Sequence, residues 1–260
     1  MSDFRPGVPG TMATRPVRLL ASDIDGTLLG DEAAAERFRR TWHSLKSEER
    51  PLLVYNSART AEDITSLIEA KLLPRPDYVI GGVGTVIADV RIAGPLQAFM
   101  EELGPPFEEQ AVAAVMQSIE GAAPQPVLHQ LPHKISWHLP EAGEERIRSL
   151  AMRFAAAGLA VKLVYSCRRD LDILPPAGGK GGALAWICRR LSIGLDEVVV
   201  AGDSGNDREM FEMPHVRGVV VANALAELRD AASLYRRHFL ASRCHADGVI
   251  EGLKHWGVLR

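Results

Sequence analysis

Short unbroken apolar runs recur near both ends of the chain, separated by stretches in which apolar residues return every three or four positions. In the first third, "VRLLASD" (17–23), "PLLVYNS" (51–57) and "DYVIGG" (77–82) read as strands, with helices over 31–47 and 61–72 between them. The last third repeats the alternation. It holds helix 180–192, strand "EVVVAGD" (197–203), helix 206–213, strand "GVVVAN" (218–223) and helix 224–231. Runs of Val, Ile and Leu without polar interruption suit parallel strands covered on both faces. Such alternation predicts βαβ units wound into one sheet with helices on both sides.

The middle breaks this rhythm. After "GGVGTVIADV" come Pro-rich and Gly-rich stretches, a helix near 107–121, and "HKISWHLP" (133–140). There Ile135, Trp137 and Leu139 alternate with Lys134, Ser136 and His138, as in a strand with one polar face. A helix over 142–157 and two further period-two strands, "AVKLVYS" and "DLDILP", follow. The expected fold is therefore α/β: a doubly wound, mostly parallel sheet interrupted by a smaller α+β unit. The expected division is a loose tail over 1–15, a core over 16–85 and 176–260, and an insertion over 86–175.

Composition changes this picture little. A chain of 260 residues, 47% apolar and 24% charged, can bury a substantial core, and its net charge of −3 argues against a nucleic-acid partner. No run is long and apolar enough for a membrane span, and "MSDFRPGVPGTMATRPVR" lacks the apolar stretch of a secretory signal. Met12 is an alternative start. The three cysteines, Cys167, Cys188 and Cys244, form no metal-binding spacing. A cytoplasmic location is expected.

In a doubly wound sheet, ligands gather beyond the carboxyl ends of the strands. Four polar signals fall there. Asp23-Ile24-Asp25-Gly26-Thr27 follows the first strand, and Ser57 in "NSART" follows the second. Lys180 in "GGKGGALAW" opens a helix, and "GDSGND" brings Asp203, Asn206 and Asp207 after the strand at 197–203. Asp23 and Asp25, two positions apart on an extended chain, are expected on one side, where like charges call for a cation or a proton. Taken singly, these signals fit turns, helix caps and solvated side chains. Together, a hydroxyl, an ammonium and four carboxylates on one rim describe a magnesium-assisted phosphoryl site.

This set resembles the haloacid dehalogenase superfamily of phosphatases, and the insertion resembles the type II cap of subclass IIB, the Cof type. "DLDILP", "GKGGALAWI", "GDSGNDREMF" and "HADGVIEGLKHWG" look like the sucrose-phosphate phosphatase family, which includes bacterial mannosylfructose-phosphate phosphatases. One departure is "NSAR", where the family commonly carries Gly at the position of Ala58. The resemblance implies Asp23 as nucleophile and Asp25 as general acid and base. It also implies Mg²⁺ held by the Asp23 side chain, the Asp25 carbonyl and Asp203, with Asp207 in support. Ser57 and Lys180 would hold the phosphoryl group, and Ser204 and Asn206 would orient the Asp203 loop, with Asn206 also expected among the substrate-binding residues and a plain helix cap as its equal alternative.

The cap is expected to choose the substrate. Lys134 and Ser136, which match the family's "KxS" strand, are expected to bind the sugar; Asp170 and Asp172 share another strand face, and for His138 and Asp170 a solvated sheet face is at least as fitting. His129 and His133 show no ligand spacing. The favoured reading is a phosphatase of a disaccharide phosphate, sucrose 6-phosphate or mannosylfructose phosphate, supplied by a glycosyltransferase. The alternatives are a general Cof-like hexose or cofactor phosphatase, a phosphomutase, or a non-catalytic partner of a glycosyltransferase.

Overall fold

The computed structural model describes residues 15–92 and 94–260. The expectations for the tail and for Met12 fall largely outside these residues. Chain order in the first part is β1 (Leu19–Ser22), α1 (Glu32–Ser44), β2 (Leu52–Asn56), α2 (Ala61–Glu69), β3 (Tyr78–Gly81), β4 (Val86–Asp89) and α3 (Gln97–Leu103). The inserted part holds α4 (Glu109–Met116), β5 (Ala123–Pro124), β6 (Ile135–His138), α5 (Glu144–Ala156), β7 (Lys162–Ser166) and β8 (Asp170–Leu174). The chain then returns with α6 (Lys180–Leu191), β9 (Val198–Gly202), α7 (Arg208–Glu212), β10 (Arg217–Val220), α8 (Ala226–Ser233), β11 (His238–Leu240) and α9 (His245–His255).

The larger sheet has the order β11-β10-β9-β1-β2-β3-β4 and is parallel except at β3–β4. The chain winds from β1 outward through β2 and β3, then restarts at β9 on the other side of β1. The winding reverses between β1 and β9, and the crevice at such a reversal is where doubly wound sheets bind ligands. Both strands are wholly buried, which explains their uninterrupted apolar sequence. Helix α1 is started by Asp31, whose side chain accepts the Ala34 amide at 2.8 Å. It presents Ala34, Phe38 and Trp42 to the sheet at helical spacing. Helix α9 is tied to α1 by a two-bond ion pair, Arg37 to Asp247, at 2.8 Å.

The smaller sheet is antiparallel, in the order β5-β6-β8-β7. Ile135, Trp137, Leu171 and Ile173 point to one face and pack with Val112, Met116, Leu150 and Phe154 of α4 and α5. This is a separate α+β unit inserted between two parts of the larger core, with an apolar cluster of its own.

The expected insertion boundary at 86 needs correction. Strand β4 pairs antiparallel with β3 and completes the larger sheet. Phe99 and Leu103 of α3 belong to the larger core, with Phe99 edge-on to Trp186 at 5.5 Å. The cap's own apolar cluster begins at Phe107. A tight turn over Gly82, Val83 and Gly84, all at positive φ, reverses the chain between β3 and β4. No helix among the described residues is long and apolar enough to cross a membrane.

Candidate active site

Asp23 leaves the end of β1 with its amide still on the β9 ladder, donating to the Ala201 carbonyl at 3.0 Å. Its carboxylate turns inward. Lys180, the first residue of α6 and fully buried, donates to Asp23 Oδ1 at 2.7 Å and to Asp207 Oδ1 at 2.6 Å. The other Asp207 oxygen accepts the amides of Asp203 and Ser204, at 3.0 and 3.2 Å. Asp207 therefore shapes the loop after β9 while pairing with the lysine. Asp203 takes the Thr27 hydroxyl at 3.1 Å, joining the two loops across the crevice.

Oxygen atoms of Asp23, Asp203 and Asp207 all lie within 4.8 Å of one another. Burial is the main cause that lifts the Asp23 carboxyl well above its ordinary range; Lys180 opposes the rise, and Asp207 and Asp203 add to it. Burial likewise pushes Asp203 up to about 6, aided by Asp207. For Lys180 burial works downward, yet the charges of Asp207 and Asp23 outweigh it and the ammonium is held above its ordinary value. Three carboxylates facing one ammonium leave a buried excess of negative charge. Such an oxygen-rich site suits a hard divalent cation such as Mg²⁺.

Asp25 lies beyond the strand, more open to solvent than the buried Asp23. Strand β1 ends at Ser22, so strand alternation does not extend to position 25. The half-exposed Asp25 carboxylate instead receives Arg59 through two bonds of 2.7 Å each. Gly26, at φ +80°, has no room for a side chain: a Cβ there would run into the Asp203 carboxylate.

Ser57 lies one strand over at the same end of the sheet, buried, its hydroxyl oxygen accepting the Arg59 amide at 3.2 Å. Ala58 is not in the left-handed region, so replacing the usual Gly leaves this loop unstrained. Asn206 sits in the turn before α7 and receives the Ser204 hydroxyl at 3.3 Å.

In the cap, β6 and β8 pair so that Ser136 faces Asp172 and His138 faces Asp170. The polar residues of the two strands thus share one sheet face. Lys134, Ser136 and Asp172 are buried together. Ser136 donates to Asp172 at 2.5 Å, and Lys134 donates to Ser136 at 2.8 Å. His138 pairs with the half-buried Asp170 at 3.0 Å. His133 contacts the Gly104 carbonyl at 2.8 Å, a structural link.

Two core carboxylates tie the inserted unit to the loops around Lys180 and Asp203. Glu209 accepts Lys162 of β7 at 2.6 Å and the Gly181 amide, beside Lys180, at 3.1 Å. Glu227 accepts the Cys167 amide, in the turn after β7, at 3.1 Å and the Gly205 amide at 2.7 Å. Sequence reasoning missed Arg59, Glu209 and Glu227 as contributors, because their partners lie 22 to 60 positions away. Only Arg59 carried a local signal, inside "NSART".

Residues 16–257 match the family described as sucrose-6F-phosphate phosphohydrolase. The chain is 47% identical over 244 residues to a mannosylfructose-phosphate phosphatase of Agrobacterium fabrum, covering 94% of this chain and 98% of that one. It is 32% identical to a probable sucrose-phosphatase 2 of Arabidopsis thaliana, spanning 94% of this chain but 60% of the longer plant protein. Among solved structures, the sucrose-phosphatase of Synechocystis sp. PCC6803, crystallised with sucrose and phosphate, superposes with a TM-score of 0.84 at 30% identity, covering 94% and 99% of the two chains. A haloacid dehalogenase subclass IIB sugar phosphatase shares the fold alone, with a TM-score of 0.66 at 16% identity and coverage of 94% and 100%. With its family matched almost end to end and its strand-end motifs gathered at one crevice, the chain belongs to the sucrose-6F-phosphate phosphohydrolase family of haloacid-dehalogenase-type phosphoric monoester hydrolases.

Proposed function

We propose that this protein is a Mg²⁺-dependent phosphatase that releases phosphate from a disaccharide phosphate, with mannosylfructose phosphate ahead of sucrose 6-phosphate. The buried Lys134–Ser136–Asp172 group carries the sugar half of this reading, because a polar set hidden on the cap sheet suits a ligand rich in hydroxyls. The order of the two disaccharides rests on the 47% identity to the bacterial relative. A glycosyltransferase is the class of enzyme that supplies such a substrate.

In this reading an Asp23 oxygen attacks phosphorus in line with the sugar oxygen, whose bond to phosphorus breaks. Asp25 gives its proton to that leaving oxygen. A water, losing its proton to Asp25, then attacks the aspartyl-phosphate and releases inorganic phosphate, restoring Asp23. Both Asp25 oxygens are held by Arg59, so one must be freed for this work. Ser57 and Lys180 hold the phosphoryl oxygens, and Asn206 supports the loop beside them. Asp23, the Asp25 carbonyl, Asp203 and Asp207 would hold the Mg²⁺, which supplies positive charge against both phosphate and carboxylates.

The test is kcat/KM with Mg²⁺ for mannosylfructose phosphate, sucrose 6-phosphate, fructose 6-phosphate, glucose 6-phosphate and p-nitrophenyl phosphate. The disaccharide phosphates are expected to lead. Lys134→Ala should lower their kcat/KM by about 10- to 100-fold, the worth of one or two lost polar contacts, and p-nitrophenyl phosphate far less. Hexose phosphates hydrolysed as efficiently as the disaccharides would hand the reading to a general Cof-like phosphatase.

A further inference from the structure

The run "HADGVIEGLKHWG" opens α9 and takes no part in the reaction proposed above, yet its first residue reaches the catalytic loop. The Gly26 carbonyl, next to Asp25, accepts two hydrogen bonds. Asn223, three residues beyond β10, donates from Nδ2 at 2.7 Å. His245 donates from Nδ1 at 3.0 Å. Asn223 Oδ1 in turn accepts the His245 main-chain amide at 2.7 Å, which closes the ring of contacts. These partners fix the hydrogen positions. A carbonyl only accepts and an amide N–H only donates, so the Asn223 amide has one consistent orientation and the His245 proton belongs on Nδ1.

One member of this ring also holds an uncommon backbone conformation. His245 lies at φ +51°, a region that non-glycine residues occupy at a cost. Its ring lies against Gly30, at φ +126°, where a Cβ would overlap the imidazole. Gly26 leaves no space between itself and the Asp203 carboxylate on the other side. The segment 26–30 is therefore clasped between Asp203 and the Asn223–His245 pair.

The clasp stands on firm supports. Gly252 of α9 packs so closely on Val219 of β10 that a Cβ would overlap that side chain, and Asp247 is bound to Arg37 of α1.

We propose that Asn223 and His245 are positioning residues that set the Gly26–Thr27 peptide, directly after Asp25, against the carboxylate cluster. This inference rests on the phosphatase reading for its kinetic consequence only. Misplacing a reacting group by about 1 Å costs on the order of 100-fold in rate, whereas ground-state binding of the sugar through the cap is untouched. Asn223→Ala and His245→Ala should therefore lower kcat by about 10- to 100-fold, with KM for p-nitrophenyl phosphate and for the disaccharide phosphate changed less than about 3-fold. His245→Asn should recover most of the loss, because Asn tolerates the left-handed backbone and keeps a donor toward Gly26. Asn223→Asp keeps the acceptor for His245 and the side-chain size but loses the donor, so it should behave like Asn223→Ala; it serves if the alanine variants fail to fold.

A second readout needs no turnover. Hydrogen exchange of metal-free protein should speed up at least about tenfold in the 24–30 segment of Asn223→Asp and stay unchanged in β1 and β9. Unaltered kcat and unaltered exchange in Asn223→Asp would overturn the clasp, as would equal deficits in His245→Asn and His245→Ala. A wild type inactive on every phosphate ester would overturn the phosphatase reading instead, and the exchange measurement would still decide the clasp.

Discussion

Replacing Lys180 by Met removes one charge of a buried triad while keeping most of its volume. In the native chain the ammonium is fully buried and makes bonds of 2.7 and 2.6 Å to Asp23 and Asp207. Without it, two hidden carboxylates, with Asp203 close by, lose their counter-charge. Removing one partner of a buried ion pair costs about 3–5 kcal/mol, because the remaining charge stays desolvated. At about 2–4 °C per kcal/mol for a chain of this size, the melting temperature should fall by about 6–20 °C at pH 7 in EDTA. The deficit should depend on pH. Lys180 has a raised folded value, so its stabilisation is fully present below the ordinary lysine range and constant from pH 5 to 8. In Lys180→Met the Asp23 and Asp203 carboxyls, already raised by burial, take up protons more readily in the folded state than in the unfolded chain. The variant therefore regains stability as pH falls, and its gap to the wild type should narrow between pH 7 and pH 5. Calorimetry at both pH values, with and without Mg²⁺, makes the measurement. A variant as stable as the wild type at pH 7 without metal would refute the claim that Lys180 compensates these charges.

Asp25→Asn should slow turnover by about two to four orders of magnitude, with a smaller loss on aryl phosphates whose leaving groups need little protonation; an equal loss on all esters, read as kcat/KM across a leaving-group series, would count against the acid role. Gly26→Ala forces a side chain into the Asp203 carboxylate at φ +80°. It should cost about 1–2 kcal/mol in backbone strain alone and remove more activity than stability, as kcat and melting temperature together would reveal. Chelation by EDTA should silence the enzyme and Mg²⁺ restore it. Because Asp203 must lose a proton held up to about 6, Mg²⁺ affinity measured calorimetrically should rise as pH climbs through about 6 and level off above. Affinity that is flat from pH 5 to 7 would contradict that coupling.

The parallel strands were legible because burial on both faces leaves an apolar run with no polar interruption, as in Val198, Val199 and Val200. Elements that bury one face or hold few residues were not. Strand β11 is only three residues long and partly exposed, and helix α3 has seven residues, so neither carries a period. The hairpin into β4 was missed because Gly82-Val83-Gly84 gives no hint of whether the next strand rejoins the same sheet. In the site, residue types in strand-end loops announced Asp23, Lys180, Asp203 and Asp207. The exposure of Asp25 and its pairing with Arg59 did not follow from spacing, since alternation applies only inside a strand. Arg59, Asn223 and His245 act through partners far along the chain, and local pattern contains no information on such pairs.

The two carboxylates that fasten the cap, Glu209 and Glu227, also bear on how such a cap can be exchanged between relatives. At one fastening the cap contributes a lysine, and at the other only a main-chain amide. The second makes no demand on side-chain identity, and the first asks for one basic residue at position 162. A cap rebuilt for another sugar keeps both of these fastenings if it preserves that turn and the basic residue at 162. Diversification of the sheet face at positions 134, 136 and 172 is free to proceed without disturbing the fastening.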